Sequence, residues 1–222
     1  MTTPLLLFGA GRMGQQLAAL VRNQFAKQYQ LVGYADDTRK RGEAMPDGLP
    51  VLGTLQQAAE QPPSAPGTAR LLFAIGYGDM RARLAAHERA LKANYRLATL
   101  IHPRAHVEPD VELGEGCCVH AGALLDTGCR LGAANFVDIG VMMGERVQMG
   151  SANYISAGSV VGGNLTMGNG NFLGMSAVLR DGIRVGSFNT VPAQALVHRD
   201  LAAQVQVMEA RTIRFVGPSD AN

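Results

Sequence analysis

Gly9-Ala10-Gly11-Arg12-Met13-Gly14 follows an apolar run and opens a helical pattern, with Asp36 about 20 residues further on. In that setting the backbone N–H groups at the helix N-terminus suit a phosphate. Asp36 and Asp37 stand where ribose or base donors would arrive. A nicotinamide dinucleotide is one reading of the motif. The stretch available is only about 95 residues, half of a complete dinucleotide fold, so a mononucleotide or nucleotide-sugar fits the space better. The bland alternative is that the glycines merely let strand and helix pack closely and that Asp36-Asp37 is a solvated turn.

A second candidate lies further along. His120 and Asp138 are 18 residues apart, a spacing that recurs below. If both side chains point outward from stacked coils, the carboxylate would orient the imidazole and stabilise its cation, making a general base. The alternative is a turn histidine that contributes little. His102 and His106 lie four apart in an extended segment with no third ligand evident, so no metal site is expected. Cys117, Cys118 and Cys129 are odd in number and lack CxxC spacing, which reads as buried reduced thiols in a cytoplasmic protein.

Two kinds of element must position these residues. The first reads as β-α-β-α-β-α. LLLFGAG is a strand, MGQQLAALVRNQF a helix with Leu17, Leu20, Val21 and Phe25 on one face, and LVGYADD a second strand. A helix capped by Thr54, a strand in ARLLFAIG and a helix from Asp79 to Ala93 follow. This order implies a small parallel sheet covered by helices. From about residue 97 the chain repeats every 18 residues: Asn135, Asn153, Asn171 and Asn189 share one register, and Gly114, Gly132, Gly150, Gly168 and Gly186 another. Phe136, Tyr154 and Phe172 share a third. Eighteen is three sixes, and hexapeptides with one aliphatic position build a triangular parallel β-helix. Coils fall at 117–134, 135–152, 153–170 and 171–188, with the aromatic trio stacked as a ladder and the asparagines at turns that favour the left-handed conformation. The tail from Val197 to Phe215 breaks the repeat and is expected to cap the last coil.

Composition narrows the classes. The chain has 222 residues, 47% of them apolar and 17% charged, with 27 glycines and a net charge of +2. That balance, without a basic block, argues against nucleic acid. No apolar run approaches the length of a membrane helix, and the opening run is too short for a signal peptide.

The two halves in this order resemble the bacterial sugar O- and N-acyltransferases that include sialic acid O-acetyltransferase and the nucleotide-sugar N-acetyltransferases. LLLFGAGRMG, LVGYADD, LPVLGT and LLFAIGYGDMRARL carry the likeness in the first part, and TLIHPRAHVEPDVELGEGCCVHAGALLDTGCRLG with the following coils in the second. The resemblance implies a Rossmann-like nucleotide-sugar-binding domain over 1–96 and a left-handed β-helix over 97–222. It also implies a homotrimer, acetyl-CoA held between neighbouring subunits, and acyl transfer to a hydroxyl or amine of a small-molecule acceptor. Gly9, Gly11, Arg12, Met13, Asp36, Asp37 and Gly76 would then bind substrate, and the amides of Gly163 and Gly174 the pantetheine arm. The catalytic residues depart from the family pattern. Aligned on Asp138-Ile139-Gly140-Val141-Met142-Met143-Gly144-Glu145-Arg146, the family's catalytic His falls on Glu145 and its second His, near the acyl carbonyl, on Tyr154, which would then join Gly163 and Gly174 in binding acetyl-CoA. Arg12-Met13 replaces the His of the glycine loop, and Met208-Glu209-Ala210-Arg211 replaces the closing G-x-P-A. Glu145 is therefore a candidate carboxylate base beside His120, and His198, Arg199, Arg211 and Arg214 either meet CoA phosphates or form a solvated cap. A different expectation stays open: a catalytically silent relative that binds a nucleotide-sugar or CoA.

Overall fold

The computed structural model describes residues 2–208. Strand β1 (Thr3–Phe8) runs between β2 (Tyr29–Ala35) and β3 (Arg70–Phe73) in a three-stranded parallel sheet. Leu5, Leu6, Leu7 and Phe8 are all buried, as expected for a strand covered on both faces. Helix α1 (Arg12–Leu20) continues into a π-helical turn through Phe25. Helix α2 (Leu55–Ala59) starts with a capping box between Thr54 and Gln57. Helix α3 (Met80–Lys92) starts at Asp79, whose carboxylate accepts from the N–H groups of Arg81 and Ala82.

From Leu100 the chain forms a parallel β-solenoid of about five turns. Every strand is two residues long. The first residue points out and the second points in, so Val119, Leu125, Leu131, Val137, Met143 and Met149 recur at every sixth position inside. The pairs Phe136↔Tyr154 and Tyr154↔Phe172 confirm the 18-residue register. The three buried cysteines are free thiols.

The asparagines behave differently from the expectation. Left-handed backbone falls one residue earlier, at Ala134, Ala152, Gly170 and Phe188. The asparagines turn inward and stack. The backbone N–H and Nδ2 of Asn153 both donate to Oδ1 of Asn135, at 2.9 and 3.0 Å, and Asn171 and Asn189 repeat the pattern. A buried amide is stable only when its donors and acceptors are matched, and a stack of identical coils matches them automatically. The tail also differs: up to Val207 it continues the winding, with Leu201 bridging Val185 and Gln206 bridging Thr190, on a shortened 16-residue spacing. The rest of the expected cap lies outside the described residues.

The prism has three unlike faces. The first carries Leu100, Cys118, Phe136 and Tyr154 outward, and these pack with Leu5, Leu7, Leu17, Val21 and Tyr34 of the sheet and α1 in one core. The second presents Leu124, Met142, Val160, Val178 and Leu196, of which Leu196 is 63% exposed. The third presents Glu112, Arg130, Gln148, Thr166 and Arg184. Two faces are thus accounted for, one by the sheet region and one by water.

Candidate active site

All three strands of the sheet run the same way, so the loops that leave β1, β2 and β3 gather at one edge. They meet the first face of the solenoid there and enclose a pocket of about 630 Å3. Gly9, Gly11, Arg12 and Met13 form one side, Asp36 another, and Ile75, Gly76 and Tyr77 a third, with Tyr154 entering from the solenoid. Six of the seven residues expected to bind substrate are brought together. The seventh, Asp37, is not: its carboxylate pairs with Arg89 on α3 at 2.7 Å.

The glycines of this pocket fall into two groups. A side chain at Gly14 would strike the carbonyl oxygen of Gly9. Gly9 has φ +115°, and a Cβ there would meet the Ala74 carbonyl oxygen at 2.6 Å. These two are required by the fold. Gly11 and Gly76 meet nothing within 4 Å. The protein itself has no steric need for glycine at either position, which leaves room for a ligand against the backbone. No side chain caps α1, so its N-terminus presents donors and partial positive charge to that room. Asp36 does not lie free. Its Oδ2 accepts from the Ala10 N–H at 2.7 Å and its Oδ1 from Thr38, contacts that hold its carboxyl below the usual range even though burial pushes it up.

The solenoid side of the pocket is aromatic. Tyr77 stacks on Phe172 with ring centroids 4.8 Å apart and meets Tyr154 edge-on at 4.8 Å. Phe136 stacks on Tyr154 at 4.6 Å, and His120 lies 5.0 Å from Phe136. Burial drives the Tyr154 hydroxyl well above its ordinary pKa, so it is a donor and not a base. Tyr77 was not singled out from the sequence. The available signal was an aromatic between two glycines at the end of a strand.

His120 lies against the outward-facing Phe136 and is covered there by its neighbours. It is 95% covered, its Nε2 has no hydrogen-bond partner among the described residues, and burial is the main cause that lowers its pKa, against the neighbouring Asp138 charge. Asp138 accepts from the Ile139 N–H, and no hydrogen bond joins it to His120 among the described residues; its influence is through space. Glu145 sits at the corner between the second and third faces, opposite the first. Asn164 donates to it at 2.7 Å, and Arg146 lies at 3.4 Å. Within one chain it therefore stands across the prism from the pocket. Gly163 lies directly under the Glu145 carboxylate, which would have to swing aside for any side chain there. The Gly174 N–H already donates to the Val191 carbonyl at 2.8 Å, and a Cβ there would strike Ala193. Coil stacking alone accounts for that glycine, and its amide is not available to hold a pantetheine arm. Among the described residues, no three His, Cys, Asp or Glu side chains gather as a metal site.

No family model matches the chain, and no curated protein matches it significantly. Solved structures do. The acetyltransferase domain of PglB from Neisseria gonorrhoeae is 25% identical, with a TM-score of 0.80 over 92% of this chain and 96% of that one. The same domain in complex with acetyl coenzyme A aligns at 26% identity and TM-score 0.80, over 93% of this chain and 96% of that one. A mutant of perosamine N-acetyltransferase from Caulobacter crescentus, in complex with CoA and GDP-perosamine, is also 26% identical with a TM-score of 0.80, over 93% of both chains. The structural neighbours are sugar N-acetyltransferases. The likeness spans the sheet region and the solenoid together, so it includes the junction at which the pocket lies.

Proposed function

We propose that this chain transfers an acetyl group from acetyl-CoA to the amine of a nucleotide-linked sugar. The observation that carries the reading is the pair of open glycines, Gly11 and Gly76, that line one pocket together with Tyr154 of the solenoid. That is a place for a ligand whose phosphates rest on a helix N-terminus and whose sugar reaches the solenoid. Neighbours crystallised with acetyl-CoA, or with CoA and GDP-perosamine, support it. The sheet region, 1–96, is then a Rossmann-like acceptor domain, and 97–222 a left-handed β-helix that carries the donor. Such a donor is a cytoplasmic metabolite, and the chain belongs in that compartment on this reading. No described helix is long and apolar enough to cross a membrane.

The second face supports a homotrimer. Leu124 and Met142, each 45% exposed, and Leu196 line an apolar stripe the monomer leaves bare, the kind of surface that marks an interface. Three prisms joined through it bring the corner that bears Glu145 toward the His120 corner of a neighbouring copy. The donor then lies along the Glu145 corner, past Gly162 and Gly163. Arg180, His198 and Arg199 stand two and three coils further on, roughly 10–15 Å at the coil spacing, where the donor's phosphates would end.

Acetyl-CoA supplies the thioester. The sugar nitrogen attacks its carbonyl carbon, the C–S bond breaks, and CoA leaves as the thiol with the proton the amine gives up. His120 is the base: burial keeps it neutral, its Nε2 is unpartnered, and Asp138 stabilises the cation through space. The test is thiol release from acetyl-CoA over a panel of amino-sugar nucleotides. Turnover is expected, with an acid limb below the ordinary histidine pKa of about 6.5 that His120→Ala removes while cutting kcat by about a hundredfold. If Glu145→Gln moves the limb and His120→Ala does not, the base is Glu145. The locked Glu145 and the consumed Gly174 amide favour a second reading, a silent protein that binds the nucleotide-sugar alone; acceptor binding without any CoA binding in calorimetry would establish it.

A further inference from the structure

Arg83 is 1% exposed, the largest fully buried side chain described. It reaches from α3 into the junction between the sheet region and the solenoid. Its guanidinium donates to the carbonyl oxygens of Ile75, Ala134 (2.8 Å) and Ala152 (3.3 Å). Its charged carbon lies over the rings of Phe73 at 4.8 Å and Tyr154 at 5.7 Å. Among the described residues no carboxylate pairs with it. The contrast with the exposed arginines is informative. Arg22, Arg39 and Arg89 lie in water, where a partner matters least, and each has a carboxylate. Among the described residues the one arginine in the interior, where a partner matters most, has only carbonyls and rings. Burial lowers its pKa to about 10, so it stays charged near neutral pH. An uncompensated interior cation is costly, and a methionine would fill similar space without that cost.

The neighbours of Arg83 suggest the use of this charge. Ile75 and Tyr154 both line the pocket, so the guanidinium stands behind the pocket wall in a medium that screens poorly. We infer that Arg83 is the residue that selects the pocket's ligand for negative charge, favouring a nucleoside diphosphate group over a neutral nucleoside or sugar. It acts through the wall and touches no ligand, so it is a specificity-determining residue and not a catalytic one. This rests on the reading of the pocket as the acceptor site. Charges on the order of 8 Å apart at an effective dielectric of about 20 interact strongly enough for roughly tenfold to thirtyfold in affinity.

The test is calorimetry on the full chain with uridine and guanosine, and with their mono- and diphosphates, for the wild type, Arg83→Met and Arg83→Lys. In the wild type, affinity is expected to rise with each phosphate. Arg83→Met should lose tenfold or more for the diphosphate with little change for the nucleoside, and Arg83→Lys should keep most of the preference. If Arg83→Met does not fold, Arg83→Gln, which removes the charge and keeps hydrogen-bond donors for the same carbonyls, takes its place with the same expected loss. Binding that does not depend on phosphate charge, or an equal loss for nucleoside and diphosphate in Arg83→Met, overturns this inference alone. Failure of the wild type to bind any member of either series overturns the pocket reading and this inference with it.

Discussion

The glycines at the sheet edge and the glycines of the coils look alike in the sequence, and their surroundings differ. A side chain at Gly150 would meet the Asn169 amide oxygen and the Gly168 carbonyl group of the coil above, and one at Gly132 would meet Ser151 and Gly150. Successive coils approach so closely at that corner that only hydrogen fits. At Gly11 and Gly76 the neighbouring space is open. At Gly132 and Gly150, as at Gly9 and Gly14, the residue type is consumed by the fold, whereas at Gly11 and Gly76 it is left over, and what is left over is available for a ligand. The same division separates the Nε2 atoms of His87 and His120, which have no partner among the described residues, from the asparagine side chains of the stack, which do.

Substitutions test that division directly. Gly150→Val should have the largest effect. Its added atoms meet backbone that cannot withdraw, so a loss of about 3 kcal/mol or more is expected in chemical denaturation; a loss under about 1 kcal/mol would mean the coils have slack. Gly11→Val should shift stability by only about 0.5 kcal/mol and weaken nucleotide binding by tenfold or more, read by thermal melting and calorimetry on one sample. Equal damage to both would erase the distinction. Protonation gives a smaller and more distributed effect. Burial lowers the pKa of His87, His102 and His120, so the unfolded chain takes up protons first. The stability they contribute is complete above about pH 6.5 and is lost as pH falls through their lower folded values, which a melting series from pH 7.5 to about 5 would detect. Asp37→Asn should do least. Its pair with Arg89 is half exposed, so a change within about 0.5 kcal/mol is expected and nucleotide affinity should hold. A marked rise in Kd would return Asp37 to the binding set.

Local signals carried far in this chain. The capping box at Thr54 and the cap at Asp79 are chemistry between residues two or three apart, and the coil register is a fixed period; both can be read without knowing the fold. The 18-residue period alone makes Phe136, Tyr154 and Phe172 neighbours. What escaped depends on non-local packing. Arg83 sits in a helix rich in arginine and alanine, and only the docking of that helix on the Ala134 and Ala152 turns distinguishes it from Arg81 or Arg89. The period sets His120 one coil from Asp138, yet it gives height along the axis and not how far neighbouring residues cover a side chain. The asparagine conformations were missed for a related reason: the preference of asparagine for left-handed turns lost to the hydrogen bonds that identical neighbours above and below supply.

Three unlike faces on one axis also restrict how such a chain can change length. Losing six residues preserves the alternation of inside and outside, so the interior would still close. Every later strand would nevertheless turn by one face, removing Tyr154 from the pocket and moving the Leu124 and Met142 column away from its neighbours. Losing 18 residues returns each strand to its own face. Hexads are the grammar of the interior, but the whole coil is the smallest unit that can be inserted or deleted without scrambling the surface, and length variation in the solenoid should therefore come in steps of one coil.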